Sequence, residues 1–460
     1  MTLHHLRNAP QAHLPRPNGL AFLLALLCCC PLTACGEAPA VPKPPHILVL
    51  MADDLGWKDV GYHGAEFATP RIDRLAQEGL ELEGLYTAPI CVPARVAFLT
   101  GKHAIRVGLY ANIRPSDDFG LPPGEKTLGD HLRAAGYRTA LVGKWHLGHA
   151  RPADHPNARG FDHFYGHRRG YIDYYEHERD GVLDWERNGE SLNEPGYSTR
   201  LLAKEAIEVL RSHDPVVPLF LFLSFNAPHA PLQVAPGRAP LQGTPEEQRR
   251  ACFAGMVEEL DAAIGKVLDT VDELGWRENT LVLFMSDNGG SELNGALNDP
   301  LRDGKFSAYE GGLRVPAAVR WPAGLPTGAV SRQVLTLRDL CPTLLAAAGG
   351  AAPGLDGVDL LPALREGVER PREDLFFCAR RPYGMVVALK RDRWKLVQTR
   401  SKAQGSIVNE LFDLSVDPYE TTDLAEREPK RLGEMAAAVE PYLQSHPGGP
   451  QPLPVIETGR

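Results

Sequence analysis

The sequence predicts an α/β fold: a large, mostly parallel sheet flanked by helices, then a smaller C-terminal antiparallel sheet with one helix. Up to about residue 350, continuous apolar runs alternate with helical patterns, and each run ends in a polar loop marked by Gly or Pro. Central parallel strands have such runs because helices cover both faces of the sheet. After residue 350, short apolar segments follow one another with turns between them, as in antiparallel strands. The alternation of strands and helices indicates the α/β class.

The N-terminal segment is predicted to direct export. Arg7 and Arg16 precede a short apolar run, residues 20–30, and no acidic residue comes before it. The run is too short to span a bilayer as a stable helix and is typical of a secretory signal. LTAC, residues 32–35, follows it and resembles the bacterial lipobox, in which the cysteine is acylated and becomes the new N-terminus. A chance Leu-x-Ala-Cys is the alternative interpretation.

We therefore expect residues 1–34 to be a lipoprotein signal peptide and residues 35–45 to be a Pro-rich tether that begins at an acylated Cys35. The protein would be an exported bacterial lipoprotein, anchored to a membrane by this lipid and facing the periplasm or the outside of the cell. Gly36, rather than Asp, after the cysteine favours the outer membrane if the host is Gram-negative.

Charge and cysteine content exclude several classes of partner and site. The net charge is −9, and loss of the signal peptide makes the chain more acidic, which argues against nucleic-acid binding. An anionic substrate therefore needs a local basic pocket. Of eight cysteines, four lie in or beside the signal, and the other four lack the spacing of a disulfide scaffold or a zinc site. These four are Cys91, Cys252, Cys341 and Cys378, and most are expected to be buried as small apolar residues.

Four apolar runs predict the central strands: HILVLMADD (46–54), RTALVGKWHLG (138–148), LFLFLSFNAPHAP (219–231) and TLVLFMSDNGG (280–290). Helical patterns over residues 127–136, 198–211 and 245–274 precede the second, third and fourth strands. The longest helix has a capping box of Thr244 and Glu247 at its start and Gly275 at its end. In such a sheet, the loops at the carboxyl ends of the strands form the binding site.

The C-terminal part has a different pattern. The segments DLFFCARR, GMVVALKRDRWKLVQTR and NELFDLSVDPYETTDLA predict short strands joined by turns, and a final helix is predicted over residues 429–444. We therefore expect a large α/β domain over residues 46–350, a smaller α+β subdomain over residues 351–446 and a loose tail over residues 447–460.

Polar residues follow two of the predicted central strands. Asp53 and Asp54 end the first run, and Asp287 and Asn288 end the fourth. Taken singly, the first pair could be a helix cap and the second a turn. Together, three carboxylates and a carboxamide at the ends of two parallel strands form an all-oxygen ligand set, which suits Ca²⁺ or Mg²⁺ better than Zn²⁺.

Cationic and imidazole groups lie in neighbouring loops. Lys144, His146 and His229 follow two other strands, and Lys305 lies in PLRDGKFSAYEGGLRVP, residues 300–316. Each histidine could instead be a hydrogen-bonded core residue. A dication surrounded by such groups would bind a tetrahedral oxyanion such as sulfate or phosphate.

The segment CVPARVAFLTGK, residues 91–102, resembles the signature of the type I sulfatases. GKWHLG, SDNGG and the segment around Lys305 also match that family, in its usual order, and the similarity runs from about residue 45 to 425, including ELFDLSVDPYE. Ala94 stands where many members have Ser, and VAFLTGKH differs slightly from the commoner continuation. Neither difference affects Cys91, Pro93 or Arg95.

The resemblance implies an alkaline-phosphatase-like fold, with a mixed, mostly parallel sheet, and an arylsulfatase-type sulfuric ester hydrolase. It implies that a formylglycine-generating maturation enzyme converts Cys91 to Cα-formylglycine (3-oxoalanine), whose hydrated aldehyde is the nucleophile. It also implies one Ca²⁺ per site, bound by Asp53, Asp54, Asp287 and Asn288 alongside residue 91.

The resemblance assigns roles to the remaining site residues. Arg95 holds the modified side chain in place, and His146 orients or deprotonates the hydrated aldehyde. Lys144, His229 and Lys305 contact the sulfate, and the last two are the candidate acids for the leaving group.

The segment over residues 159–185 and APLQV after His229 look most like arylsulfatase B, the N-acetylgalactosamine-4-sulfatase type. We therefore expect an exo-acting enzyme for 4-sulfated galactosamine-type sugars of glycosaminoglycan fragments, although a structural loop is the alternative for this segment. The aromatic rings expected to stack on a sugar are Phe161, Phe164, Tyr165, Tyr171, Tyr174 and Tyr175. The cationic residues expected to pair with a uronate or a second sulfate are His167, Arg168 and Arg169.

Two other functions stay open. One is a phosphoester or phosphonoester hydrolase of the same superfamily, and the other is a surface protein that binds sulfated glycans without turnover because Cys91 stays unmodified. The full set of basic and metal-ligand residues argues against simple binding, since binding alone would not need a maturation motif.

Overall fold

The computed structural model describes residues 43–237, 242–382, 384–401 and 405–448. The predicted signal peptide, Cys35 and most of the predicted tether lie outside the described residues, as does the chain beyond residue 448. Across the part that is described, none of the helices has both the length and the apolar character that crossing a membrane requires.

The described residues form eighteen strands and ten α-helices. The strands are β1 His46–Ala52, β2 Leu80–Leu82, β3 Leu85–Tyr86, β4 Arg138–Lys144, β5 His163–His167, β6 Glu178–Arg179, β7 Val182–Leu183, β8 Glu186–Arg187, β9 Glu190–Ser191, β10 Leu219–Ser224, β11 Thr280–Ser286, β12 Ala317–Arg320, β13 Ala329–Ser331, β14 Leu335–Thr336, β15 Leu375–Arg381, β16 Gly384–Arg391, β17 Trp394–Ser401 and β18 Ile407–Asp413. The helices are α1 Pro70–Glu78, α2 Cys91–Thr100, α3 Ala104–Val107, α4 Leu128–Ala134, α5 Ser198–Ser212, α6 Pro245–Glu273, α7 Glu310–Leu313, α8 Leu337–Ala347, α9 Leu361–Glu366 and α10 Pro429–Gln444.

A ten-stranded mixed sheet organises the larger part of the molecule, in the order β13-β2-β12-β11-β1-β10-β4-β5-β8-β9. Its centre is parallel: β1 pairs with β10 and β11, and β10 pairs with β4, which pairs with β5. Antiparallel pairings occur towards both edges, through β12 on one side and β8 on the other. The four predicted central strands are therefore neighbours in the sheet, and the predicted fold class is confirmed.

Both faces of the central sheet are covered, which explains the continuous apolar runs. Along β1, Ile47 and Val49 pack into one hydrophobic core with Phe98 of α2. Leu48 and Leu50 point to the opposite face and pack into a second core with residues of α5 and α6. Successive side chains of a strand point to opposite faces, so two helix layers require apolar residues at every position.

Helix α6 begins and ends where its sequence predicts. Thr244 Oγ1 accepts a hydrogen bond from the Glu247 amide at 3.2 Å, and a Glu247 carboxylate oxygen accepts one from the Thr244 amide at 2.7 Å. This capping box satisfies backbone donors that the first turn leaves unpaired. Gly275, at φ +72°, follows the last turn in the left-handed conformation that favours glycine.

The smaller C-terminal sheet is antiparallel, in the order β15-β16-β17-β18, and α10 packs beside it. Phe377 and Val397 of this sheet form a third core with Tyr86 and Leu313, which belong to the larger part of the chain. The C-terminal sheet therefore lies against the segment that carries Lys305 and against the segment that leads into α2. The domain boundaries set from the sequence stay a prediction.

Candidate active site

The carboxyl ends of β1 and β11 bring four predicted ligands together. Ala52 is the register partner of Ser286, so Asp53 and Asp54 leave the sheet beside Asp287 and Asn288. The Asp287 amide donates to the carbonyl oxygen of Ala52 at 3.0 Å, which continues the parallel ladder by one bond. All four side chains are buried. The sequence prediction that these residues share one edge of the sheet is correct.

Helix α2 brings Cys91 and Arg95 to the same place. Cys91 is the first residue of the helix and is buried, with its Sγ 3.7 Å from an Asp53 carboxylate oxygen. Arg95 follows one turn later on the same face. Its Nε and Nη2 donate to Asp287 Oδ2, and its Nη1 donates to the carbonyl oxygen of Lys144 and to Ser224 Oγ.

The Cys91 thiol is not an activated thiolate. Burial raises its pKa to about 12, although the nearby Lys144 and Lys305 oppose the rise. Thiol nucleophiles act as thiolates, whose formation requires a lowered pKa. As an unmodified cysteine, residue 91 therefore has the position of a nucleophile without the reactivity of one.

Two buried lysines pair with the aspartates. Lys144 Nζ lies 2.6 Å from Asp53 Oδ2, and Lys305 Nζ lies 2.8 Å from Asp54 Oδ2. Burial tends to raise the pKa of Asp54, but Lys305 and His229 outweigh it and hold that pKa below its usual range. For Asp53, burial dominates and raises the pKa against the opposing charge of Lys144.

The two predicted site histidines face the same cluster. His229 Nε2 lies 3.6 Å from Asp54 Oδ2, and its Nδ1 lies 2.6 Å from the carbonyl oxygen of Ala230, which places the proton of the neutral ring on Nδ1. Burial lowers the pKa of His229 to about 3, and it holds the pKa of His146 well below its usual value. His146 Nδ1 is buried and has no hydrogen-bond partner in the described part of the chain, so His146 is not a satisfied core histidine.

The sequence profile of the family described as Sulfatase matches residues 45–351, and a profile described as N-sulphoglucosamine sulphohydrolase, C-terminal, matches residues 302–443. The chain belongs to the sulfatase family. It is a sulfuric ester hydrolase, as the site residues predict.

Several relatives are similar to this sulfatase over most of their length. Arylsulfatase J of Mus musculus is 35% identical over 441 residues, which cover 84% of this chain and 73% of that protein. N-acetylgalactosamine-6-sulfatase of Homo sapiens is 36% identical over 365 residues, covering 73% of this chain and 69% of that protein. The crystal structure of Ps i-CgsB in complex with k-i-k-neocarrahexaose superposes with a TM-score of 0.79 at 31% identity, covering 88% of this chain and 94% of that one.

The donor set of the sulfatase fits a hard cation. One ligand atom from each of Asp53, Asp54, Cys91 and His229 lies within 4.8 Å of the others. Asn288 donates through Nδ2 to Asp54 Oδ1 at 2.8 Å, whereas its buried Oδ1 accepts no hydrogen bond from any described residue. An unpaired buried carbonyl oxygen beside carboxylates is the kind of ligand that Ca²⁺ takes. The predicted ligands therefore lie together, with His229 as an additional neighbour.

The aromatic segment over residues 159–185 differs from its prediction. Four of the rings expected to stack on a sugar are buried in the hydrophobic cores: Phe161, Phe164, Tyr165 and Tyr174. His167 is buried as well, with its Nδ1 3.0 Å from the carbonyl oxygen of Arg169. These side chains hold the loops of the site: Tyr174, for example, donates to the carbonyl oxygens of Asn226 and His229. Tyr171 and Tyr175 are the rings of the predicted set that stay partly exposed.

The sequence analysis did not identify two residues at the site, Ser224 and Arg179. Ser224 Oγ accepts a hydrogen bond from Arg95 Nη1 at 2.7 Å. Its position as the last residue of β10, at the carboxyl end of a central strand, could have identified it as a site residue. Tyr171 was expected to stack on a sugar; its ring stacks on His229, and the guanidinium of Arg179 stacks on Tyr171. No motif or spacing in the sequence distinguishes Arg179 from the other arginines of its segment.

Proposed function

We propose that the sulfatase hydrolyses sulfate esters of carbohydrates with a nucleophile formed when a maturation enzyme converts Cys91 to Cα-formylglycine. The observation that carries this proposal is the position of Cys91. Its side chain begins α2 inside the cluster of carboxylates and lysines, yet burial raises the pKa of its thiol to about 12. The maturation enzyme would supply the oxidant that takes Cβ to an aldehyde, and the C–S bond would break with the sulfur leaving as sulfide. Hydration of the aldehyde would then provide the nucleophile in place of the thiol.

The charges of the cluster suit a sulfate ester. Within the described residues, the three aspartates face three cations: Lys144, Lys305 and Arg95. Ca²⁺ held by the three aspartates and Asn288 would make the net charge of the cluster positive. It would also polarise the oxygen atoms that bind to it. An anionic ester would then be attracted to the site by the net charge around it.

The roles that we propose follow from the positions of the side chains. Lys305 Nζ and His229 Nε2 both approach Asp54, so they are placed to hold sulfate oxygens and to give a proton to the leaving alcohol. A bound anion favours the charged form of an imidazole, so it would raise the pKa of His229 from the low value set by burial. His146, with a free Nδ1, is placed to accept a proton from the nucleophile.

Intact mass spectrometry tests the nucleophile. Conversion of Cys91 to formylglycine lowers the mass by about 18 Da, and we expect this loss in active protein, localised to the peptide that contains residue 91. Cys91→Ala should abolish sulfate release, whereas Cys252→Ala, a buried cysteine on α6, should keep it. Full sulfatase activity in protein that retains the unmodified thiol would refute the proposal. A protein with no mass loss that binds sulfated glycans without turnover would support the non-catalytic alternative.

For the substrate, we propose an N-acetylgalactosamine 4-sulfate unit of glycosaminoglycan fragments. The support is the resemblance of residues 159–185 to the arylsulfatase B type. The human relative named N-acetylgalactosamine-6-sulfatase, at 36% identity, favours the same sugar with the 6-sulfate as a second candidate. A panel of 4-sulfated and 6-sulfated N-acetylgalactosamine, 6-sulfated N-acetylglucosamine and 4-nitrophenyl sulfate distinguishes them. Preference for a 6-sulfate would refute the 4-position, and preference for a phosphoester or phosphonoester, especially with zinc dependence, would favour the related hydrolases.

We also propose that acylation of Cys35 anchors the sulfatase to a membrane. The support is the sequence LTAC directly after the apolar run of the signal. Cys35→Ala should move the protein from the membrane fraction to the soluble fraction, and Cys341→Ala is the control that should not. A Cys35→Ala protein that stays in the membrane fraction would show that the anchor is not this lipid.

A further inference from the structure

A stack of three side chains lines one wall of the sulfatase site. The Tyr171 ring lies nearly parallel to the His229 ring, with 5.6 Å between centroids and 15° between planes. On the Tyr171 ring lies the guanidinium of Arg179, with its Cζ 4.1 Å from the ring centroid. His229 approaches the carboxylate of Asp54 at 3.6 Å, so the stack extends from the centre of the cluster outwards.

Arg179 and His146 both pack closely around Gly170. A Cβ built on Gly170 would lie 2.7 Å from His146 Nε2 and 3.2 Å from Arg179 Nη1. Any larger residue at position 170 would therefore clash with His146 and would force it or Arg179 to move. The glycine thus lets the Arg179 side chain lie near His146, beside the stack.

Arg179 has hydrogen-bonding capacity that its protein neighbours do not use. Its buried Nε makes no hydrogen bond with a described residue, although it lies within ion-pair distance, 3.6 Å, of Asp180 Oδ2, which belongs to a side chain that is 64% exposed. The side chain of Arg179 itself is only 12% exposed. The Nε of Arg168 likewise makes no hydrogen bond with a described residue, but it lies 3.3 Å from a Glu186 carboxylate oxygen, and Arg168 Nη1 donates to the carbonyl oxygen of His149. Arg187 donates to both carboxylate oxygens of Glu205.

We propose that Arg179, supported by Tyr171, binds a second anionic group of the substrate, a sulfate or a carboxylate on the same sugar or on the next one. This inference rests on the proposed function, because it concerns the substrate of that site. A guanidinium presents parallel donors that match the oxygens of a sulfate or a carboxylate, and partial burial strengthens such a pair compared with a surface pair. The Tyr171 ring holds the guanidinium in a fixed direction by a cation–π contact.

The sulfatase therefore distinguishes substrates by their number of anionic groups. A substrate with one sulfate uses the cluster at the strand ends alone. A substrate with two anionic groups also reaches Arg179 and binds more tightly.

Substrate comparison tests the proposal. Three substrates are compared: 4-nitrophenyl sulfate, with one anionic group; N-acetylgalactosamine 4,6-disulfate; and a 4-sulfated disaccharide that carries a uronate. In Arg179→Gln, we expect kcat/KM to fall about tenfold or more for one or both of the two-anion substrates, through KM, and to change less than about twofold for 4-nitrophenyl sulfate. A fall in kcat/KM for the disulfate alone would identify a sulfate as the group that Arg179 binds. A fall for the disaccharide alone would identify a carboxylate. Arg431→Gln, which removes an arginine stacked on Trp394 at 4.3 Å in the C-terminal part, should change none of them.

An equal fall in kcat/KM for all three substrates in Arg179→Gln would overturn the proposal, because Arg179 would then act only by orienting Tyr171 and His229. An unchanged KM for both two-anion substrates would overturn it as well. Calorimetric titration of the same two compounds into Cys91→Ala protein, with and without Arg179→Gln, measures binding without turnover. If no substrate is hydrolysed, the proposed function fails, whereas weaker binding in the double variant still supports the anion site. Equal binding by both proteins, or binding by neither, would refute it.

Discussion

Arg95 and Asp287 form a wholly buried ion pair in which the guanidinium donates twice to one oxygen: Nε at 3.1 Å and Nη2 at 2.9 Å from Asp287 Oδ2. The third nitrogen, Nη1, donates to the Lys144 carbonyl at 3.0 Å and to Ser224 Oγ at 2.7 Å. One side chain of α2 thus connects the ends of β4, β10 and β11. Asp287 Oδ1 accepts a hydrogen bond from the Asp54 amide at 3.4 Å.

Replacement of Arg95 should destabilise the whole protein. Arg95→Met leaves the Asp287 carboxylate buried without its partner, so we expect the free energy of unfolding in urea to fall by about 3–5 kcal/mol. Arg95→Lys keeps a charge but loses the fork of donors, so its loss should be smaller. Arg106→Met, which breaks the exposed pair with Asp356, is the control and should cost about 0–1 kcal/mol. Equal losses for Arg95→Met and Arg106→Met would contradict the structural role of the buried pair.

Calcium should stabilise the folded sulfatase through Asn288. We expect added Ca²⁺ to raise the thermal unfolding midpoint of chelator-treated protein, by an amount equivalent to about 2.7 kcal/mol at a hundredfold excess over Kd. Asn288→Ala removes the buried amide oxygen and should abolish most of this shift, while Asn294→Ala, outside the cluster, should preserve it. A calcium shift of equal size in both variants would exclude Asn288 as a ligand. Full sulfate release from metal-free protein would exclude a catalytic role for the cation.

A buried network should hold the C-terminal sheet to the segment that carries Lys305. Lys395 Nζ on β17 lies 2.7 Å from a Glu310 oxygen and 2.8 Å from a Glu420 oxygen, and all three side chains are buried. Lys395→Met leaves two carboxylates without their shared cation, so we expect the free energy of unfolding to fall by about 3–5 kcal/mol. Lys430→Met, at an exposed position of α10, should have little effect. If Lys395→Met is as stable as Lys430→Met, the network does not hold the two parts together.

Acid should weaken the protein partly through Glu205 on α5. Burial tends to raise the pKa of this carboxyl, but hydrogen bonds from His163 at 2.9 Å and Arg187 at 2.5 Å outweigh it and lower the pKa to about 2. Because the pKa is lower in the folded state than the ordinary value of 4.5, the stabilisation is complete above pH 4.5 and is lost as the pH falls towards 2.

Thermal unfolding between pH 6 and pH 2.5 measures this dependence. Glu205→Gln should be less stable than the natural sequence near neutral pH, and the difference should shrink as the pH falls. Glu208→Gln, three residues later and largely exposed, is the matched control and should follow the natural sequence throughout. A constant gap between Glu205→Gln and the natural sequence over this range would rule out the proposed linkage.

Local rules account for the parts of the fold that were predicted from the sequence. The central strands β1, β4, β10 and β11 were predicted because a strand covered on both faces needs apolar residues at every position. The start of α6 was predicted because Thr244 and Glu247 satisfy backbone donors within a single turn. The carboxylates after β1 and β11 were predicted to meet because parallel strands place their carboxyl ends at one edge.

The sequence by itself therefore determined the fold class, the order of the central elements and the set of polar residues at the strand ends, since side-chain alternation along a strand and capping of a helical turn act between near neighbours in the chain. Only the tertiary structure decided which aromatic rings are buried and which reach the site. Phe164 and Tyr171 belong to the same aromatic segment of the sequence, yet one lies in a core and the other stacks on His229. The contact of Tyr171 with Arg179 and the pairing of Lys395 with Glu310 depend on how separate segments pack, and that depends on the shape of the whole core.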